Sequence, residues 1–488
     1  MLILKISQLR CRQRVVTISK KVGKKIETGA DSCKENSACL YFLTLLSAGL
    51  FYLAFPNHFY MCGFWPCIWV FAVPLLLALH DQPLKKRLRL GVLWGLFAYG
   101  LMAQGLMSIS LAGFLAFTLG LSVQTVFFVV FFRRVAPFIY LPLLWGVSEA
   151  VRNSLLGGFS FYISHAQAFC PWMLKLYGTV GCWGMSGIIF MVNVLIYLGI
   201  KGAEKKRDRR YFFIAGGAIF LSVAAIGFFK NGPSIQIGQP LRVSVIQAGI
   251  SPWEKANIEL FDRNVQMHLR LTQDSSKDHP DLVIWPETSF PDDLLQSDQW
   301  RPIVEAQAVD MKADLLLGVA PIIEGKEYNS ALMINAKGQV TGLYHKQALV
   351  PFAENTPLSA LGINWGRGYH FSAGNKPGVF KLKNGALHFG VVICSESAHP
   401  GMVRELRRDG AQFLVEISND GWFTDDASYM LHAQAAIMRA VENRIWVIRA
   451  ANTGFSFAVD PQGVIHTDRN LKLGHEGFGI FDIMINKS

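Results

Sequence analysis

The chain has 488 residues, 51 % of them hydrophobic and 17 % charged, with a formal net charge of +12. Residues 1–229 carry 23 Lys and Arg against 7 Asp and Glu, a net of +16, whereas residues 230–488 carry 24 against 28, a net of −4. The basic excess thus lies beside long apolar segments, so it marks a bilayer surface and excludes the usual reading of a basic chain as a nucleic-acid binder.

Residues 1–38 hold nine Lys and Arg. Their opening apolar run, Met1 to Ile6, is shorter than a signal-peptide core of roughly 7–15 residues, and no small-residue cleavage site follows. They are expected to form a basic cytoplasmic tail. Seven apolar stretches follow, at about 39–55, 62–79, 90–107, 111–132, 135–149, 176–200 and 211–229. A spanning helix needs about 20 apolar residues, and so many runs in succession predict a multi-pass α-helical membrane domain over 39–229. The fifth stretch is short and ends on Glu149. The connections alternate in charge. Lys85, Lys86, Arg87 and Arg89 lie in one, Arg133 and Arg134 in another, and residues 201–210 are strongly basic, whereas 56–61 and 108–110 hold no Lys or Arg and 150–175 holds only Arg152 and Lys175. The positive-inside rule places the N-terminus in the cytoplasm. Seven crossings then place 230–488 beyond the inner membrane of a bacterium, on the periplasmic side.

From Leu241 the pattern becomes α/β. Strands are expected at Arg242–Gln247, Asp281–Trp285, Ala313–Val319, Ala331–Asn335, Phe389–Ile393 and Gln412–Ile417, with helices between them, such as Ala256–Gln273 and Ser428–Glu442. Residues 230–488 suffice for one large α/β domain.

Three expected strand ends carry polar residues. Cys394 closes the run Phe389-Gly-Val-Val-Ile and is the one cysteine downstream of Cys182 among the eight in the chain. A thiol at a strand end can face a cleft as a nucleophile, although free cysteine also packs as a small hydrophobe. Glu287 follows Leu282-Val-Ile-Trp-Pro, where desolvation would make it a usable base; a helix N-cap or a surface acid is the bland reading. Lys346 precedes an apolar stretch and would stabilise an oxyanion if buried; a solvated surface charge is the bland reading. Glu354, eight residues on, could hold that lysine. Ser395, whose N–H follows the nucleophile, is a second candidate oxyanion donor, and Glu396 lies beside it. His345 reads as a surface or structural residue. The histidines show no metal-ligand spacing, and no cofactor is expected.

In order and spacing these fragments resemble the nitrilase (carbon–nitrogen hydrolase) superfamily over 242–465, including Ile417-Ser-Asn-Asp-Gly-Trp-Phe423, the residues Gln434, Arg439, Glu442 and Arg444, and Ala451-Asn-Thr-Gly-Phe455. Upstream, Leu53-Ala-Phe-Pro56, Trp65-Pro66, Val73-Pro-Leu75, Leu144-Trp-Gly-Val-Ser-Glu149 and Gly158-Phe159 resemble one branch, the apolipoprotein N-acyltransferases, as do Ile246-Gln247, Trp253, Trp285-Pro-Glu287 and Leu349-Val-Pro-Phe352. The resemblance implies a nitrilase-like α-β-β-α sandwich. It also implies transfer of an acyl chain from a membrane glycerophospholipid to the α-amino group of the lipidated (diacylglyceryl) N-terminal cysteine of apolipoproteins. It casts Glu287 as base, Lys346 as oxyanion lysine, Cys394 as nucleophile and Glu354 as supporting carboxylate.

The chain departs from the family at Ala353, where glycine is common, at Ser395, where an aromatic is usual, at Ser160-Phe161, where Pro-Trp is usual, and at Gln104 to Ser110, which lacks the family's aromatics. Family members usually carry a further spanning helix after the catalytic domain, whereas this chain ends with Phe481 to Ser488. The competing readings are a membrane-tethered amidase using the same three residues, an inactive lipoprotein-binding scaffold, and a transporter. The near absence of ionisable residues within the apolar segments speaks against the last.

Overall fold

The computed structural model describes residues 36–133, 137, 139–158, 161–201, 206–229, 238–351, 353–355 and 370–485. Most of the expected basic tail therefore lies outside the described residues, as do Phe159, Ser160, Phe352 and the last three residues.

The N-terminal half is helical: α1 (Ser37–Ala54), α2 (Ala72–Leu79), α3 (Leu84–Ala103), α4 (Leu111–Phe131), α5 (Tyr140–Leu155), a single turn α6 (Pro171–Leu174), α7 (Tyr177–Lys201) and α8 (Lys206–Phe229). Helix occupies every predicted apolar stretch, but only five of these helices, α1, α3, α4, α7 and α8, are long and apolar enough to cross a membrane. The other two stretches differ for local reasons. Pro66 opens a 3₁₀ turn at Trp65–Trp69, and the chain restarts as the eight-residue α2 with Pro74 in its first turn. α5 is 16 residues long and buries Glu149 and Arg152. The basic cluster Lys85 to Arg89, expected in a connection, instead forms the first turns of α3.

Interior packing is aromatic. Trp145 stacks on Phe190 at 4.6 Å, and Trp94 meets Phe51 edge-on at 5.1 Å. The Trp94 indole N–H reaches the Ser47 hydroxyl at 2.9 Å, so burial leaves that donor satisfied.

The C-terminal half is built on two six-stranded sheets. The first runs in the order β14-β1-β2-β3-β6-β7, with β1 (Gln239–Gln247), β2 (Leu282–Ile284), β3 (Asp314–Val319), β6 (Ser330–Ile334), β7 (Val340–His345) and β14 (Gly477–Ile485). The second runs β13-β12-β11-β10-β9-β8, with β8 (Val379–Leu382), β9 (Leu387–Ile393), β10 (Phe413–Ser418), β11 (Val447–Ala451), β12 (Phe457–Val459) and β13 (Ile465–His466). A small hairpin, β4 (Ile322–Ile323) and β5 (Lys326–Glu327), stands apart.

Period-two alternation assembles the layers. Val243, Val245, Leu316, Val391, Ile393, Val415 and Ile417 fill the space between the two sheets. Val283, Leu315 and Leu317 face the other way, onto Val265, Leu271, Val304 and Ala308. These belong to the helices Phe261–Ser275 and Trp300–Met311, which cover the first sheet. On the second sheet, Val392, Leu414 and Val447 pack against the helices Pro400–Arg408 and Asp426–Asn443, in a core continuous with the membrane helices. The result is the expected α-β-β-α sandwich, with one helical layer docked on the membrane half. Strands buried on both faces read as unbroken apolar runs, which is why the sequence located them.

Polar contacts fix the junction. The Ser108 hydroxyl donates to the Trp422 carbonyl at 2.8 Å, and Arg444 reaches the Gly178 carbonyl. The Cys182 thiol meets Glu442, which also pairs with Arg439 at 2.9 Å.

Candidate active site

β1, β2 and β3 run parallel, as do β9, β10 and β11. Two antiparallel steps, β3 to β6 and β6 to β7, return β7 to the direction of β3. The C-terminal ends of β2 and β7 therefore share one edge of the first sheet, and Glu287 and Lys346 leave from it. Cys394 leaves the end of β9 in the second.

Cys394 opens a turn at φ 55, in the left-handed region that a side chain other than glycine seldom adopts. The bend lifts the thiol off the line of the strand. The side chain is partly exposed and the thiol is free.

Glu287 is 5 % exposed and sits three residues past β2. Its position depends on Gly318 of β3, where an added Cβ would lie 2.5 Å from the Pro286 carbonyl and from the Thr288 nitrogen. One Glu287 oxygen accepts the Asn329 amide at 2.6 Å and faces the Lys346 ammonium at 3.4 Å, and the other accepts the Asn419 backbone N–H at 2.7 Å. Lys346 is fully buried and pairs with Glu354 at 2.8 Å. Burial opposes its charge, but Glu354, Glu287 and Cys394 outweigh that and hold its pKa well above that of free lysine. Glu354 also accepts the Val350 N–H at 2.8 Å and the Asn329 amide at 2.9 Å.

Glu396 has a different task. Its carboxylate accepts the Tyr344 hydroxyl with both oxygens at 2.9 Å, the Gln347 N–H at 2.6 Å, the Ala348 N–H at 3.1 Å and the Ile393 N–H at 2.8 Å. It staples the segment carrying Lys346 to the turn carrying Cys394. The Ser395 hydroxyl, donating to the Ala348 carbonyl at 3.4 Å, joins the same two segments. His345 Nδ1 lies 2.7 Å from the Ser330 hydroxyl and its ring packs on Tyr328 at 4.4 Å. No cluster of His, Cys, Asp and Glu suited to a metal ion occurs among the described residues.

Four neighbours escaped the sequence reading. Asn329 bridges the two glutamates and precedes the expected strand at Ala331 by two residues, a position where a polar residue draws no notice. Lys255 donates to the Glu287 carbonyl at 3.0 Å, and burial pulls its pKa down to about 7 against the pull of Glu287. Asp420 and His432 form a pair at 2.8 Å, and His432 lies within electrostatic reach of Cys394. The signal for Asp420 was present in Ser418-Asn-Asp-Gly, whereas His432 is a lone histidine within a helix.

A buried carboxylate and ammonium beside a cysteine on a strained strand end, in an α-β-β-α sandwich, define a carbon–nitrogen hydrolase. Residues 242–483 match the carbon-nitrogen hydrolase family model, and residues 47–195 match that of the apolipoprotein N-acyltransferase N-terminal domain. Together these account for most of the chain, which belongs to the apolipoprotein N-acyltransferase family. Relatives named apolipoprotein N-acyltransferase include one from Geobacter metallireducens, 28 % identical over 87 % of this chain and 86 % of its own. One from Pseudomonas syringae pv. tomato is 28 % identical over 87 % of each chain, and one from Rhizobium meliloti is 31 % identical over 71 % and 66 %. Among solved structures, an amidase from Nesterenkonia sp. is 19 % identical, covering 52 % of this chain and 94 % of its own with a TM-score of 0.39.

Proposed function

We propose that this enzyme moves an acyl chain from a membrane glycerophospholipid to the α-amino group of the lipidated N-terminal cysteine of an apolipoprotein, by way of a Cys394 thioester. The observation that carries the reading is the placement of Lys346, held between Glu287 at 3.4 Å and Glu354 at 2.8 Å and within the field of Cys394.

In the first half-reaction Glu287 takes the thiol proton and the sulfur attacks the donor ester carbonyl. The Lys346 ammonium and the Ser395 N–H meet the oxyanion. The carbon–oxygen bond breaks, and Glu287 returns the proton to the departing glycerol oxygen, leaving a lysophospholipid and an acyl-enzyme. In the second, the α-amino nitrogen attacks the thioester and gives its proton to Glu287. The carbon–sulfur bond breaks, and the sulfur recovers that proton.

The five apolar helices support a membrane anchor. Both substrates are lipids, and tethering the sandwich at their surface raises effective concentration. The charge alternation supports a catalytic domain on the periplasmic face of the inner membrane.

Mass spectrometry tests the reading. Purified protein is incubated in phospholipid vesicles with a diacylglyceryl lipopeptide. Gain of one amide-linked acyl chain at the peptide N-terminus is expected. Release of free fatty acid with no acylated peptide would instead establish the tethered amidase, and no turnover of either kind would leave a binding protein.

A further inference from the structure

The register of the second sheet brings a second polar system to Cys394. Ile393 pairs with Ile417, so the turn after β9 lies beside the turn after β10, which carries Asp420. Asp420 is fully buried, and its carboxylate takes both Arg449 Nη atoms at 3.0 Å. Arg449 in turn pairs with Glu416 at 2.9 Å, across a register in which those two residues are direct partners. The Asp420 carboxylate also meets His432 Nδ1 at 2.8 Å. That nitrogen lies 3.1 Å from Arg449 Nη2 as well. Arg449 already donates to Asp420, so the shorter and complementary contact, Nδ1–H to Asp420, sets the ring's protonation. The His432 ring is flanked by Phe423 edge-on at 6.1 Å, and its side chain is 14 % exposed. Beyond that pair, the ring lies within electrostatic reach of Cys394 on the adjoining turn.

We propose that His432 is a catalytic residue that, charged and oriented by Asp420, donates a hydrogen bond to the Cys394 sulfur in the states where that sulfur bears negative charge. The inference rests on the thioester reading above and deepens it. The sulfur is anionic at two moments: after Glu287 has taken the thiol proton, and when the carbon–sulfur bond breaks in the second half-reaction. At both, the imidazolium keeps its proton and only shares it, so Glu287 remains the group that accepts and returns protons and the balance of each step is unchanged. Lys346 faces the developing oxyanion and His432 the sulfur, which divides two charges between two cations.

Burial opposes the charge on His432, but Asp420 and Cys394 outweigh it and hold its pKa well above that of ordinary histidine. The charged and titratable groups around it are Asp420, Glu416, Arg449 and Cys394. Lys255 lies beside Glu287, and burial pulls its pKa down to about 7.

The test is His432→Gln in the full chain, in phospholipid vesicles, followed by the rate of Cys394 acylation and of transfer to a lipopeptide across pH. Both half-reactions are expected to slow by about 10²–10³, as for loss of one charge-stabilising donor, with the KM for phospholipid unchanged. The alkaline fall in rate, where the imidazolium loses its proton, should disappear from the variant, while any change arising from Lys255 persists. A variant with wild-type rates, or slowed but with the alkaline limb intact, overturns the proposal. His432→Asn is the second variant. Independently of either, the unaltered protein must show the alkaline limb, and its absence would also overturn the proposal. If the unaltered protein forms no acyl adduct on Cys394 at all, the thioester reading itself fails, a different result from either.

Discussion

Lys346 lies closer to Glu354, at 2.8 Å, than to Glu287, at 3.4 Å. Glu354 is therefore the principal counter-ion of the lysine, and Glu287 is left able to accept and return a proton without losing the charge that keeps Lys346 in place. Glu354→Gln should leave the fold intact but weaken the hold on Lys346. Its expected signature is a fall in kcat approaching the loss of one oxyanion donor, about 10²–10³, with little change in KM. The raised pKa of Lys346 means that the stabilisation from its charge is fully present below 10.5 and is lost only as pH rises through the higher folded value. Lys346 should thus contribute no titration to the profile at neutral pH. A KM effect without a kcat effect would reassign Glu354 to substrate binding.

Tyr344→Phe removes the hydroxyl that both Glu396 oxygens accept, while three backbone donors remain. A buried acceptor that loses one partner costs about 1–3 kcal/mol. A lower thermal midpoint in detergent is expected, together with reduced kcat, because the staple links the Lys346 segment to the Cys394 turn. An unchanged kcat would show that the two segments hold their positions without it.

Asp420→Asn should be more damaging. Burial pushes the Asp420 carboxyl up, but Arg449 and His432 outweigh it and hold the pKa well below the ordinary 3.8. The stabilisation is present above that ordinary value and is lost as pH falls through the depressed folded one. Removing one partner of a buried pair costs about 3–5 kcal/mol, so the variant should melt earlier at pH 7. The gap should narrow as acid reaches the depressed pKa. A gap independent of pH would assign the loss to packing alone.

Sidedness is open to a direct check. A reporter active only outside the cytoplasm, fused near Lys487, is expected to be active, and the chain should resist extraction from membranes by alkaline carbonate. A silent periplasmic reporter with an active cytoplasmic one would reverse the placement of residues 230–488.

The two halves of the fold and the three strand-end residues were legible because each depends on a local pattern. Runs such as Leu282–Ile284 and Leu387–Ile393 are buried on both faces, so their apolar character survives in one dimension. Glu287, Lys346 and Cys394 stand out as polar residues that end or follow such runs. Asn329, Lys255 and His432 matter through contacts 42, 32 and 12 positions away in sequence, with Glu287, Glu287 and Asp420. Neither charge nor periodicity announces those. Among the described residues five helices, against seven expected stretches, are long and apolar enough to span, because mean hydropathy does not register Pro66 dividing one stretch or the 16-residue length of the helix at another.

The central claim is that Cys394 carries the acyl chain between donor and acceptor, and intact-mass analysis of the purified protein with phospholipid and no acceptor tests it most directly. The account predicts one long-chain adduct, mapped to Cys394, absent from Cys394→Ala, and discharged to amide on adding a diacylglyceryl lipopeptide. A Cys394→Ala protein that still acylates the lipopeptide, or an adduct mapped to another residue, would contradict it.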